Sequence, residues 1–257
     1  MNWLEQWRAL LTIVVREVRR FTRIWMQTLL PPAISTGLYF VIFGALIGAR
    51  IGKMGGYDYM EFIVPGLVMM AVITNAYSNV VSSFYNTKFQ RSIEEMLVSP
   101  TPNYIILLGY VLGGTARGLM VGAIVIALSL FFTHLQVHHV LVTLMVVVMT
   151  AVLFSLGGFI NAVFAESFDD ISIVPTFVLT PLTYLGGVFY SIDLLPEFWR
   201  QVSLLNPILY MVNSFRYGIL GVSDVSIGWA LGMIFSCIVV LALYALSLLN
   251  RGVGIRS

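Results

Sequence analysis

Six long stretches of this 257-residue chain contain almost no charged side chains, and this pattern constrains the fold more than any other. A run of about 20 apolar residues is what a helix needs to cross the hydrocarbon core of a bilayer. Only 10% of the residues are charged, so the chain cannot cover itself with polar surface as a soluble domain does. We predict one all-α polytopic membrane domain with six transmembrane helices at 26–49, 62–84, 104–132, 140–165, 171–190 and 227–249.

Charge and cysteine content exclude several other classes of function. The formal net charge of +2 is too small and too dispersed for a nucleic-acid-binding surface. The single cysteine, Cys237, excludes an intrachain disulfide and a metal site built from cysteines. His134, His138 and His139 cluster in a short loop without a neighbouring carboxylate, so we expect a solvated loop rather than a metal site.

The chain lacks the motifs of the common hydrolases, and the segment at 48–54 has the wrong spacing for a phosphate-binding loop. We therefore expect no catalytic residues, and no cofactor bound by this chain.

The N-terminal segment 3–25 has the pattern of an amphipathic helix. Trp3, Trp7 and further apolar residues recur at helical spacing, and arginines occupy the rest of the helix surface. Such a helix suits the plane of the membrane interface beside anionic lipid, and the alternative is a helix packed on a soluble partner. Because Arg16 and Arg20 follow the short apolar run, the segment does not resemble a cleavable signal.

Nine of the fourteen Lys and Arg residues fall on the side of the membrane that carries both termini, so the positive-inside rule predicts cytoplasmic termini. This orientation places 85–103 and 166–170 in the cytoplasm and 191–226 outside. The region 191–226 contains two apolar stretches, 194–205 and 208–220, each too short to cross, and we predict re-entrant or interfacial half-helices there.

The cytoplasmic loop 85–103 mixes charged and apolar residues and ends at two prolines. Ser92 and Glu95 have the spacing of a helix-capping pair, which predicts a short helix near 93–98. Such an amphipathic helix could dock in a groove of a partner or lie on the lipid headgroups, and its spacing does not decide between them.

Two of the predicted spans carry polar side chains at helical spacing. The second has Asn75, Asn79, Ser82, Ser83 and Asn86, and the fifth has Thr176, Thr180 and Thr183 around Pro181. Polar groups at membrane depth need hydrogen-bond partners, so these residues either bond between helices or line a substrate path. A neutral lining suits an amphiphile better than an ion.

Three further features of the spans give expectations. Arg117 lies inside the third span, where it either snorkels toward the cytoplasmic headgroups or forms an ion pair within the protein. Two ladders of glycines predict close approach between helices. They are Gly44, Gly48 and Gly52, and Gly114, Gly118 and Gly122.

Three segments together resemble a known family. They are YMEFIVPGLVMM at 59–70, RSIEEMLVSPTP at 91–102, and 180–220, where Gly-Gly-Val-Phe is followed by Leu-Asn-Pro and Phe-Arg-Tyr. The chain resembles the permease subunits of type 2 ATP-binding-cassette (ABC) exporters, which move drugs, polysaccharides and lipid-linked glycans. The resemblance covers nearly the whole chain.

The resemblance implies a transporter of two permeases and two ATPase subunits, with ATP and Mg²⁺ bound by the ATPase. Segment 3–25 would be the interfacial helix, 166–170 a second cytoplasmic contact, and 192–217 the outer re-entrant helices. The second and fifth spans would line the path. The coupling helix inserted into the ATPase would contain Phe89, Arg91, Ile93, Glu94, Glu95 and Leu97.

The residues alone also admit two competing functions. One is a membrane-embedded lipid-modifying enzyme that uses the three histidines with Asp193 or Glu197 at the outer face. The other is a passive channel, which the lack of a charged ring disfavours.

Overall fold

The structure is a computed structural model that describes residues 2–254, except for the side chains of Ala45 and Ala49. Within these residues, the helices and strands follow one another in this order: α1 Trp3–Arg23, α2 Trp25–Thr28, α3 Leu30–Tyr39, a π-helical segment Phe40–Ile47, α4 Gly48–Ile51, β1 Lys53–Met54, β2 Tyr57–Asp58, α5 Tyr59–Phe89, α6 Ser92–Val98, α7 Asn103–Ser129, α8 Val140–Phe164, α9 Asp170–Ile173, a second π-helical segment Val174–Leu179, α10 Thr180–Leu185, a 3₁₀ turn Ile192–Leu194, α11 Glu197–Leu204, α12 Pro207–Leu220 and α13 Ile227–Arg251. The strands β1 and β2 pair as a small antiparallel hairpin.

Within residues 2–254, five helical runs are long and apolar enough to cross a membrane. They are Trp25–Gly44, Tyr59–Phe89, Asn103–Ser129, Val140–Phe164 and Ile227–Arg251. The predicted fifth span, 171–190, is a shorter apolar helix, Asp170–Leu185, which is about 24 Å long at 1.5 Å per residue. It ends at Gly186 and Gly187 because Gly187 has a φ of +71°, a conformation that glycine favours. A sixth crossing therefore stays a prediction.

Helix α5 forms the centre of the molecule. It packs along α7 and α8, and most of its residues are buried. Gly118 and Gly122 of α7 allow this packing, since a Cβ at Gly118 would lie 2.9 Å from Cβ of Ala76 and one at Gly122 would lie 2.7 Å from Cγ2 of Val72. The prediction for the ladder of Gly114, Gly118 and Gly122 is confirmed.

The other glycine ladder is only partly correct. Gly44 lies against Met60, and a Cβ at Gly48 would lie 3.4 Å from Tyr59. Gly52 instead ends the helix with a φ of +76° and has nothing within 4 Å of its Cβ position. The prediction is wrong for Gly52 because the helix stops at Ile51, and the glycine serves a turn rather than a helix contact.

The amphipathic helix predicted at 3–25 is present as α1, and it packs along α7. The residues that it buries are Ile13, Glu17 and Phe21. The side chains of Trp3 and Trp7 stack on each other and stay exposed. The acidic Glu17 is therefore part of the contact with the bundle, while the tryptophans face outward.

In the region 191–226, α11 and α12 correspond to the two predicted short helices. Asn206 fixes the junction between them: its side chain accepts a hydrogen bond from N of Ile208 at 3.0 Å and donates one to O of Leu182. Helix α12 packs against α5 and α8, so it is anchored in the bundle.

Candidate functional site

The C-terminal end of α5 begins the first part of the site. The chain reverses at Arg91, which has a φ of 59°, and α6 starts at Ser92. The short helix predicted near 93–98 is present, but the predicted capping by Ser92 is wrong. Arg91 is the N-cap residue, and the Ser92 hydroxyl donates to O of Thr87 at 3.2 Å, because the sharp turn places Ser92 inside the helix.

Lys88 and Tyr85 tie this end of α5 to the loop that follows α8. The Lys88 ammonium donates to O of Val163 at 2.8 Å and to O of Ala165 at 2.7 Å. The Tyr85 hydroxyl donates to O of Glu166 at 2.9 Å. The segments 85–103 and 166–170, which the sequence predicts as separate, are therefore joined in one rim.

The loop at 166–170 is closed by its own acidic residue. The Asp170 carboxylate accepts hydrogen bonds from the backbone N–H groups of Glu166 and Ser167, each at 2.9 Å. These bonds stabilise the ionised form and lower the pKa of Asp170 from its ordinary value. The ionised side chain thus holds the turn of the loop.

An aromatic cluster is exposed on this rim. The ring of Phe168 lies 5.2 Å from that of Phe89 and 4.9 Å from that of Tyr85, measured between centroids. Phe89 is 63% exposed and Phe168 is 51% exposed. Beside them is a cavity of about 460 Å³, whose lining includes Lys88 and Glu94. Exposed aromatic side chains beside a cavity are typical of a surface that binds a protein partner.

The predicted coupling residues divide into two groups. Phe89, Arg91, Glu94 and Glu95 are exposed, and Leu97 is half-buried. Ile93 is buried and anchors α6 to the bundle, so it is not available to a partner.

The predicted polar stripe of α5 is mostly buried between helices. The Asn79 Oδ1 atom accepts a hydrogen bond from Arg20 of α1 at 2.8 Å, and the Asn75 Oδ1 atom accepts one from Arg117 of α7 at 3.3 Å. Ser83 is buried as well. Hydrogen bonding between helices, one of the two alternatives for the stripe, therefore describes Asn75 and Asn79.

Arg117 does not form the ion pair that was one of its two alternatives. Its Nη2 atom donates to O of Thr28 at 3.2 Å and to Asn75, so the guanidinium lies among neutral acceptors inside the protein. Among residues 2–254, the recorded salt bridges involve Arg16, Arg20 and Arg200 but not Arg117. The ion-pair alternative is wrong because no carboxylate lies beside this position.

A different stripe of α5, which we call the open stripe, is not buried by the other helices. Between Phe62 and Tyr85, the residues that are not buried are Met70, Thr74, Ser78 and Ser82. The hydroxyls of Thr74 and Ser82 donate to backbone oxygens one turn earlier, at 2.9 and 2.7 Å. In this open stripe, the hydroxyls of Thr74 and Ser82 are therefore already bonded to their own helix.

The shorter helical run shows a similar face. Thr176, Phe177 and Thr180 are exposed, whereas Thr183 is buried and donates to O of Leu179 at 2.6 Å. The hydroxyl of Thr180 donates to O of Pro175 at 2.9 Å. Thr183 therefore supports the packing of this helix.

A cavity of about 260 Å³ lies between α3 and α5. Pro31, Ser35 and Tyr39 line one side, and Met70 and Thr74 of the open stripe line the other. Aromatic contacts connect Tyr39 with the short helix and the turn beyond it. The Tyr39 and Tyr184 hydroxyls are 3.4 Å apart, and the Phe189 ring lies 5.9 Å from each of the two tyrosine rings.

Arg216 is an internal residue that the sequence analysis counted as an outer charge. It is 1% exposed, its Nη2 atom donates to O of Gly187 at 2.6 Å, and its guanidinium lies 3.9 Å from the centre of the Phe62 ring. It therefore joins α12, the start of α5 and the turn after α10. The only sequence signal was its place in the Phe-Arg-Tyr motif.

The outer histidines do not meet the acids of the enzyme alternative. His134 and His138 line a cavity with Glu61, and His139 stacks on Tyr217 at 5.1 Å. Asp193 and Glu197 instead face Arg200, at 3.5 and 3.9 Å. Within residues 2–254, no three His, Cys, Asp or Glu residues are grouped closely enough to hold a metal ion. The arrangement does not favour a lipid-modifying enzyme.

Comparison with known proteins agrees with an all-α membrane fold. Residues 8–220 match the model of the family described as ABC-2 type transporter. The chain therefore belongs to the ABC-2 type transporter family and is a multi-pass transport permease of the inner membrane rather than an enzyme. Permeases of this type typically work with an ATPase partner.

Curated relatives match over nearly their whole length. The chain is 60% identical over 251 residues to the inner membrane transport permease YadH of Escherichia coli K12, which covers 98% of both chains, and equally similar to YadH of Shigella flexneri. It is 24% identical over 254 residues to nodulation protein J of Rhizobium leguminosarum bv. viciae, which covers 98% of this chain and 95% of the relative.

Proposed function

We propose that the chain is the membrane subunit of an ATP-driven exporter that moves an amphiphilic substrate, such as a drug, a lipid or a glycolipid, out of the cytoplasm or inner leaflet. Two copies of the permease associate with two copies of a separate ATPase, which binds ATP and Mg²⁺. The joined cytoplasmic rim with its exposed aromatic cluster is the observation that carries this proposal.

The rim suits the transmission of movement from an ATPase to the membrane. Phe89 is the last residue of the central helix α5, and Phe168 precedes the helix that begins at Asp170. Because Lys88 fixes the end of α5 to the loop after α8, a partner that binds both phenylalanines acts on α5, α8 and α9 together. Glu94 and Glu95 add exposed negative charge to the same surface.

The topology that we propose has six crossings, with Asp170–Leu185 as the short fifth one and both termini in the cytoplasm. The distribution of Lys and Arg supports this orientation. Helix α1 then lies at the cytoplasmic interface, where its exposed tryptophans suit the headgroup region. Helices α11 and α12 form the outer re-entrant region.

We propose that the substrate path runs between the two permease copies. Ser82, Thr176 and Thr180 remain in the set of lining residues, and Thr74 and Ser78 of the open stripe join them. Their hydroxyls present a weakly polar surface, because those with a recorded bond already donate to the helix backbone. Asn75, Asn79, Ser83 and Thr183 support the walls of the path from behind.

The coupling role is tested by charge reversal on the rim. The permease is expressed with its ATPase, and co-purification and ATP hydrolysis are measured for the double variant Glu94→Lys/Glu95→Lys. We expect loss of the ATPase from the complex and loss of substrate-stimulated hydrolysis, with membrane insertion unchanged. The matched control is Glu197→Lys, an exposed acid of α11 on the opposite side of the molecule. Full stimulation by the double variant would remove α6 from the mechanism.

A further inference from the structure

The junction of α1, α5 and α7 contains more positive than negative charge. Glu17 is 1% exposed, and its carboxylate oxygens lie 3.1 Å from Nη2 of Arg16 and 3.3 Å from Nη2 of Arg20. Arg117 enters from α7 and has only neutral acceptors. The junction thus contains three guanidinium groups and one carboxylate, and this carboxylate pairs with Arg16 and Arg20 but not with Arg117. A charge removed from water without a counter-charge is costly, so this excess favours an additional anion.

Several donors at this junction also lack a partner. They are Nε of Arg20, Nε of Arg117 and Nδ2 of Asn79, all buried. Arg20 bonds to Asn79 and Arg117 bonds to Asn75, four residues earlier on α5. Residues at this spacing lie about 6 Å apart on one helix face, so the two guanidiniums bind successive turns of α5.

An anion can reach this junction from the membrane side. The side chain of Arg20 is 31% exposed and that of Arg16 is 45% exposed, so both are partly open. The cavity between α3 and α5 extends from Asn75 and is lined mainly by apolar atoms of residues such as Leu67 and Met70. A positively charged junction beside an apolar cavity matches a molecule with an anionic head and a hydrocarbon tail.

We propose that Arg20 and Arg117 form a binding site for the phosphate group of an anionic amphiphile, with its hydrocarbon chain in the cavity between α3 and α5. Planar guanidinium groups suit phosphate because they donate paired hydrogen bonds to its oxygens. The amphiphile is either a resident membrane lipid or a phosphorylated substrate, since both present the same chemistry. The site does not depend on the proposed coupling to an ATPase.

The test uses the purified full-length permease in detergent and measures the binding of phosphatidylglycerol by native mass spectrometry. The variant Arg20→Gln/Arg117→Gln removes both proposed ligands. Because a hydrogen bond to a charged group contributes about 1.5–3 kcal/mol, we expect affinity to fall at least tenfold. The control Arg19→Gln removes an exposed positive charge one residue earlier on α1, and we expect less than a twofold change.

Further measurements distinguish a resident lipid from a phosphorylated substrate and cover the case in which the double variant does not fold. Inorganic phosphate at millimolar concentration should not displace the lipid, and displacement would show a free-anion site and overturn the amphiphile. Retention of an endogenous phosphorylated molecule other than phospholipid would identify a substrate. If the double variant does not fold, the single variants Arg20→Lys and Arg117→Lys are compared with Arg19→Lys. Equal binding by the site variants and their control overturns the proposal.

Discussion

Two neighbouring glycines of α8 provide a sharp test of how closely the central helix is packed. A Cβ at Gly158 would lie 2.5 Å from O of Tyr77 and 3.2 Å from its carbonyl carbon, both backbone atoms of α5. A Cβ at Gly157 would lie 3.7 Å from the Tyr77 ring, which is an ordinary contact. We expect Gly158→Ala to destabilise the protein and Gly157→Ala to be tolerated.

The expected difference follows from the two distances. Replacing glycine by alanine inside a helix stabilises it by about 1 kcal/mol, and this gain is common to both variants. Only at Gly158 must the two helices move apart, because the atoms that the new methyl group meets belong to the backbone. Forcing extra atoms into a packed interior costs about 1–3 kcal/mol. The free energies of unfolding of the two variants should therefore differ by about 1–3 kcal/mol.

The measurement is unfolding of the purified protein in mixed micelles with increasing SDS, followed by circular dichroism. Gly157→Ala is the matched control, since it lies on the same helix and adds the same methyl group. A difference of 1.4 kcal/mol changes the ratio of folded to unfolded protein about tenfold, which such a titration resolves. Equal stability of the two variants would show that α5 and α8 are not in backbone contact at Tyr77.

Three other substitutions have defined outcomes. Arg216→Met leaves the Gly187 carbonyl without its donor and should lower the free energy of unfolding by about 2 kcal/mol in the same titration. Lys88→Met should increase amide hydrogen exchange across 163–170, because two carbonyls of this region lose their donor. The folded loop lowers the pKa of Asp170. The ionised carboxylate therefore stabilises the loop fully at a pH above the ordinary carboxyl pKa, and this stabilisation is lost as the pH falls through the lowered pKa of the folded state. The protection of this loop, which is the intrinsic exchange rate at each pH divided by the observed rate, should thus fall in acid, and Asp170→Asn should remove that pH dependence.

The long spans were predictable because hydropathy and length alone determine them. The prediction for 104–132 agrees closely with α7, which the structure places at Asn103–Ser129. The end of α5 was harder to predict from the sequence. The predicted span stops at 84, but the helix continues to Phe89. Polar residues such as Lys88 suggested a loop. In the structure the Lys88 ammonium donates a hydrogen bond to a carbonyl at the end of α8, 75 residues away in sequence, so the helix can continue through it.

The choice of helix face could not be made from one sequence. Asn75 and Asn79 carry the more polar side chains, so they indicated the stripe, and Thr74 and Ser78 are offset from them by one residue. Which stripe is buried depends on Arg20 and Arg117, which reach Asn79 and Asn75 from 59 and 42 residues away. Local spacing contains no information about such distant partners.

The rim formed by 85–103 and 166–170 also combines features that local sequence predicts with contacts that it does not predict. The sequence indicated a short helix near 93–98 and a separate loop at 166–170. Their connection through Tyr85 and the packing of Phe89 on Phe168 depends on the tertiary arrangement of α5 and α8. The family resemblance implied two cytoplasmic contacts, and the structure adds that they share one aromatic cluster.

The two π-helical segments, Phe40–Ile47 and Val174–Leu179, have a consequence for flexibility. Both interrupt helical runs that contact α5, whereas α5 itself continues without a break for 31 residues. Wide turns have weaker hydrogen-bond geometry than α-helical ones and often occur at functional sites. We therefore expect bending to occur mainly in these two π-helical segments, while α5 beside them stays rigid.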